Sequence, residues 1–102
     1  MFTPIDDAGY EAALSGCEAG VLLFYKKLCP HCKNMEKVLE KFSAQAPGVS
    51  LFSMDMEENP RAAQAFEAQR APTILVIRNG GVTGRKAGLM NPKEMLAFYK
   101  AS

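Results

Sequence analysis

VLLFYKKLCPHCKNM, residues 21–35, joins two apolar patterns of different period. Val21 to Tyr25 is an unbroken run of β-favouring residues, the pattern of a strand buried on both faces. From Cys32 onward the apolar positions are Met35, Leu39, Phe42 and Ala46. Lys33, Glu36, Lys37, Glu40 and Lys41 lie mostly opposite them, which predicts an amphipathic helix that stops before Pro47-Gly48. Two cysteines, Cys29 and Cys32, sit where strand gives way to helix and flank Pro30 and the single histidine, His31.

The rest of the chain extends this strand–helix unit in both directions. Upstream, Tyr10, Ala13 and Leu14 have helical spacing, so residues 6–15 are expected to form a short helix, and a short strand near Phe2 fits before it. Downstream, VSLFSMD (49–55) reads as a second strand, and Asn59-Pro60 as a cap and first-turn pair opening a helix to about Gln69. Ala71-Pro72 breaks the chain before TILVIR (73–78), a further buried strand. Asn79-Gly80-Gly81 is a hairpin turn into VTGRKA (82–87). Asn91-Pro92-Lys93-Glu94 carries the pattern of a capping box ahead of Met95, Phe98 and Tyr99, and predicts a closing helix. Strand–helix–strand near the start implies a right-handed parallel crossover, whereas the tight hairpin implies an antiparallel end. The expected architecture is α/β, a central mixed β-sheet with helices on both faces. The cysteine pair lies at the end of a strand, where such sheets hold ligands and chemistry.

Composition sets the outer bounds. At 102 residues, with 48% hydrophobic and 23% charged residues, the chain fits one soluble domain over 1–102 with a single core. It shows no internal repeat or low-complexity tract. The formal net charge of +1 gives no bulk-charge reason to expect nucleic acid or an anionic membrane as a partner. No apolar run approaches the roughly 20 residues that span a bilayer. The first residues, MFTPIDDAGYEAALSG, carry two aspartates and no basic region, so they do not read as a secretory signal, although a mature secreted chain would look the same. Three cysteines are too few for a disulfide scaffold, and a cytoplasmic location is expected.

A helix beginning at the cysteine motif gives the pair a definite chemistry. With Cys29 near the N-cap and Pro30 in the first turn, the Cys29 sulfur faces unpaired backbone N–H groups that favour thiolate over thiol. One helical turn brings Cys32 close enough to bond it. Thiol–disulfide exchange follows: Cys29 attacks a substrate disulfide, and Cys32 resolves the mixed disulfide. Lys26, Lys27, His31 and Lys33 crowd the motif, and no carboxylate lies between Gly20 and Met35 in the sequence. His31, when protonated, would favour the Cys29 anion and raise the reduction potential. Its simpler reading is an exposed residue contributing local charge alone. Half a zinc site is the main competitor for the pair, but zinc needs three or four protein ligands, and beyond the pair the chain offers His31 and the distant Cys17. No metal is expected. Cys17 reads as a small hydrophobe at the end of the first helix, with oxidation or dimerisation as its alternative role.

These residues give the chain a resemblance to the thioredoxin family over nearly its whole length. The matching stretches are VLLFY-KKLCPHC, DMEENP, RAPTILVIRNGG and KAGLMNPKEMLAF. The resemblance implies that Pro72 is cis and faces the two cysteines, and that an extended substrate segment pairs with the backbone beside it. Leu28, Pro30, Ala71 and Gly88 would then form the rim, with Arg70, where many relatives have glycine, near the sulfurs. The sequence also departs from the family. Leu28 stands for the tryptophan of W-C-G-P-C, and Pro30-His31 for Gly-Pro, a dipeptide resembling that of the bacterial periplasmic oxidases. The family's buried proton-accepting aspartate falls at Leu23, its lysine partner at Ser53, and the helix-kinking proline at Lys37.

The function implied is a cytoplasmic, monomeric reductase of protein disulfides that needs no cofactor and is restored by a thioredoxin-reductase-like donor. Two alternatives accompany it. A glutaredoxin-like, glutathione-dependent enzyme fits C-P-x-C, but the Gly-Gly and charged segment of that family reads G-L-M-N-P here. A thioredoxin-fold binding module switched by the redox state of its pair would bind without turnover.

Overall fold

The computed structural model describes residues 2–102. Among these residues the elements run β1 (Thr3–Pro4), α1 (Tyr10–Ser15), β2 (Ala19–Tyr25), α2 (Pro30–Gln45), β3 (Ser50–Asp55), α3 (Pro60–Ala65), β4 (Thr73–Arg78), β5 (Gly81–Ala87) and α4 (Pro92–Ala101). The strands form one sheet in the order β1-β3-β2-β4-β5. β3 is parallel to β1 and β2, and β4 is antiparallel to β2 and β5. This is the mixed sheet with helices on both faces that the alternation of patterns predicts.

The continuous apolar run of β2 is explained by its central place. Successive side chains of a strand point to opposite faces, so both faces need apolar residues when both are covered. Leu22 and Phe24 pack with Tyr10 and Leu14 of α1 and Ala62 and Ala63 of α3. Val21 and Leu23 pack with Met35, Leu39 and Phe42 of α2 and Met95 of α4. The stripe predicted for α2 is the buried one, and Phe42 adds an edge-on contact to Tyr99, with ring centroids 5.1 Å apart. This packing holds α2 against the sheet and so fixes its first turn, which carries the cysteines.

Three local expectations differ from what is observed. The first helix begins at Tyr10 rather than residue 6, because Gly9 and Tyr10 donate their N–H groups to the Asp6 carbonyl and close a turn there. The helix after Asn59 stops at Ala65 rather than near Gln69, and Glu67 beyond it has a left-handed φ of 55°. Asn59 makes no side-chain cap. Its amide instead donates to the Asp55 carbonyl and its oxygen accepts from Asp7 N–H. The first-turn N–H groups of Arg61 and Ala62 are taken by the Asp7 carboxylate.

Other local signals hold. Asn79 and Gly80 both have positive φ, 51° and 83°, and form the two-residue turn between Arg78 and Gly81. The capping box of α4 is complete, with Asn91 and Glu94 each bonding the other's backbone N–H at 2.8 and 2.9 Å. Arg78 ties the end of α4 to β4 by donating to the Tyr99 and Ser102 carbonyls. Among the described residues no helix is long and apolar enough to cross a membrane.

Candidate redox site

Cys29 is the N-cap of α2, in extended conformation, and Pro30 occupies the first turn. The sulfurs of Cys29 and Cys32 are joined in a disulfide, with Cα atoms 5.2 Å apart. The backbone N–H of Cys32 donates to Cys29 Sγ at 3.2 Å. That N–H is one of the first-turn donors with no partner inside the helix, so it and the helix dipole favour negative charge on Cys29 when the disulfide opens. Cys29 is half-buried, whereas Cys32 is only 2% exposed. A protein-sized reactant can therefore reach Cys29 and not Cys32.

The loop before β4 faces the pair. The Ala71-Pro72 peptide is cis, and the Ala71 carbonyl oxygen lies 3.8 Å from Cys29 Sγ. Gly88, at φ 101°, donates its N–H to the Pro72 carbonyl at 2.8 Å. A Cβ built there would meet nothing within 4 Å, so the backbone conformation, not space, calls for glycine. A cavity of about 300 Å³ beside Cys29 is lined by Lys26, Leu28, Pro30, His31 and Ala71. Leu28 is 99% exposed, an apolar side chain held in solvent beside the sulfur. The structure thus gathers Leu28, Pro30, His31 and Ala71 around Cys29, with Pro72 joined to Ala71 by the cis peptide. Arg70, the residue before Ala71, lines a second cavity with Glu67, Gln69, Thr73, Arg85 and Ala87.

The positive surroundings are weaker than the sequence implies. The carboxylate missing from residues 20–35 arrives from the loop after β3, where Glu58 accepts from Lys27 at 2.5 Å. That hydrogen bond, and then the charge of Glu58, hold the Lys27 pKa above its ordinary value. Leu23 and Ser53 are neighbours in the register of β2 and β3, with Leu23 fully buried.

Sequence reading missed what lies behind Cys32. A cavity of about 210 Å³ there is lined by Tyr25, Lys26, Lys27, Cys32, Lys33 and Glu36. The spacing from Cys32 to Glu36 is the available signal, since residues four apart share a helix face. Burial, followed by the charges of Asp55, Glu58 and Glu36, raises the Tyr25 pKa. Asp55 is the register neighbour of Tyr25 and is buried. One of its oxygens accepts from Glu57 and Glu58 N–H, and the other has no partner among the described residues. Cys17 is buried near the opposite helix layer, and burial is the main cause that lifts its pKa.

The family model described as Thioredoxin matches residues 2–101. The chain is 30% identical to the thioredoxin of Haemophilus influenzae over 97 residues, covering 93% of this chain and 90% of that one. It is 32% identical to a thioredoxin of Staphylococcus aureus over 96 residues, covering 91% and 88%. The solution structure of reduced desulfothioredoxin from Desulfovibrio vulgaris Hildenborough matches the full length of both chains, at 40% identity and a TM-score of 0.86. Oxidised mitochondrial thioredoxin 3 of Saccharomyces cerevisiae, 24% identical, shares the fold with a TM-score of 0.88 over 99% of this chain and 95% of that one.

Proposed function

The chain belongs to the thioredoxin family and is a thiol–disulfide oxidoreductase, and from that premise we propose that it is a cytoplasmic reductase of protein disulfides. It acts as a single monomeric domain over residues 1–102, without cofactor or metal. The observation that carries this reading is the asymmetry of the pair: Cys29 is reachable and stabilised by the Cys32 N–H, with Cys32 buried behind it.

The reaction follows from that asymmetry. Cys29 thiolate attacks one sulfur of the substrate disulfide, whose S–S bond breaks as the other sulfur leaves as a thiolate. Cys32 then attacks Cys29 Sγ, the mixed disulfide breaks, and the second substrate thiol departs. The substrate gains two electrons and the Cys29–Cys32 pair loses them. A thioredoxin-reductase-like dithiol donor reverses the oxidation. Leu28, Pro30, Ala71, Pro72 and Gly88 form the rim against which an extended substrate segment lies. Arg70, next to Ala71, meets the same segment. His31, at the rim, tunes the Cys29 thiolate.

Substitution separates the two sulfurs. Cys29→Ser abolishes reduction of a protein disulfide, and Cys32→Ser accumulates a mixed disulfide visible by mass. If neither variant changes turnover, the assignment fails. A redox titration read by alkylation and mass then gives the direction of work. A midpoint at or below the cytosolic glutathione poise, roughly −220 to −320 mV, marks a reductase. A midpoint well above it means that Pro30-His31 has outweighed the scaffold and that the protein is an oxidant or isomerase. Turnover that requires glutathione would replace this reading with a glutaredoxin-like one.

A further inference from the structure

The resolving step has a requirement that the pair itself does not meet. Cys32 must lose a proton before its sulfur attacks, because the thiolate is the nucleophile. Yet Cys32 is 2% exposed, so bulk solvent has little access to its S–H. The cavity that Cys32 lines with Glu36 offers that proton a way out.

We propose that Glu36 is the proton acceptor for Cys32, taking its proton across the cavity the two residues share. The proposal rests on the dithiol mechanism above. Of the six side chains that line the cavity, Glu36 supplies the carboxylate. Lys26, Lys27 and Lys33 present ammonium groups, which have no acceptor site. Tyr25 is held in its neutral phenol form by burial and by the surrounding carboxylates. Glu36 lies four residues after Cys32 in α2, hence on the same helix face. It is half-buried and lines the cavity together with Cys32. At about 210 Å³ the cavity is large enough for solvent to carry a proton between the two groups. From β3, Asp55 adds charge near Tyr25; one of its oxygens accepts two backbone N–H groups and the other is buried without a partner among the described residues, but Asp55 does not line the cavity that Cys32 and Glu36 share. Glu58 is engaged by Lys27.

The step balances as follows. The Cys32 S–H bond breaks and its proton passes to the Glu36 carboxylate. The Cys32 sulfur bonds to Cys29 Sγ, and the substrate sulfur leaves with the electron pair of the mixed disulfide. On re-reduction a donor thiolate attacks Cys29, Cys32 leaves as a thiolate, and Glu36 returns the proton.

An aromatic disulfide that releases a coloured thiolate separates the two chemical steps in one mixing experiment. The first release reports Cys29 attack, and the second reports resolution by Cys32. Glu36→Gln leaves the first phase unchanged and slows the second by about 10-fold or more near neutral pH. The deficit closes as pH rises, because hydroxide then replaces the carboxylate, and Glu36→Asp recovers part of the rate. The same pH series on Asp55→Asn and Tyr25→Phe accounts for the other groups facing the site. An unchanged second phase in Glu36→Gln overturns the proposal, as does equal slowing of both phases, or a slow second phase found in Asp55→Asn alone. Absence of the first phase in the unsubstituted protein would instead overturn the dithiol mechanism, so the two failures are distinguishable.

Discussion

Three cysteines in one small chain are kept chemically distinct by their surroundings. Cys29 and Cys32 share a disulfide at the start of α2, while Cys17 is buried and free. In the oxidised native protein an alkylating reagent therefore leaves every sulfur unmodified, and it labels Cys17 once the chain is unfolded; mass measured with and without denaturant checks this. The raised pKa of Cys17 also fixes a pH dependence. The unfolded thiol ionises near 9.0 and the folded one only above that, so the unfolded state releases its proton first. Stability is unaffected below that value and falls as pH climbs through the folded pKa. Urea unfolding at about pH 8 and about pH 10 detects the loss, and Cys17→Ala reduces it. At Gly80 the constraint is steric. A Cβ there would sit 2.9 Å from the Ser15 carbonyl oxygen, at a φ of 83°. Gly80→Ala is expected to cost about 1–3 kcal/mol in denaturant titration. The need for glycine in the turn was legible in Asn79-Gly80; the close approach of α1 was not, since it comes from a distant part of the chain.

Elements were legible where their signals are local. The capping box of α4 lies within four consecutive residues, and Asn91→Ala removes one half of it. About 1 kcal/mol is expected, read from the denaturation midpoint. The cap of α3 comes from Asp7, 54 residues before Arg61, and no rule about neighbouring residues could have found it. Glu58 was hidden from Lys27 in the same way, by a separation of 31 residues. In α2 the period of Met35, Leu39 and Phe42 gave both the helix and its buried face. Phe42 is fully buried between the sheet and Tyr99, so Phe42→Ala leaves a cavity worth about 3–5 kcal/mol. The loss is expected to lower the thermal midpoint and to loosen the first turn that carries the cysteines.

For the whole molecule, alternating strand and helix patterns predicted the mixed sheet, and the chain's size makes each core contact matter. A loss of 1 kcal/mol shifts the melting temperature of a domain near this length by about 4–8 °C. The rim around Cys29 was legible because a distinctive motif marks it. The cavity behind Cys32 was not, because it exists only once β2, α2 and the loop between them are assembled. The burial of Cys32 has a last consequence for traffic through the molecule. Electrons enter and leave by one doorway, the Cys29 sulfur, and two visitors cannot stand in it together. Donor and acceptor must queue, which is the condition for ping-pong kinetics. Double-reciprocal plots at several donor concentrations then give parallel lines, and a large excess of either visitor blocks the other. Intersecting lines would mean that both had found room at once.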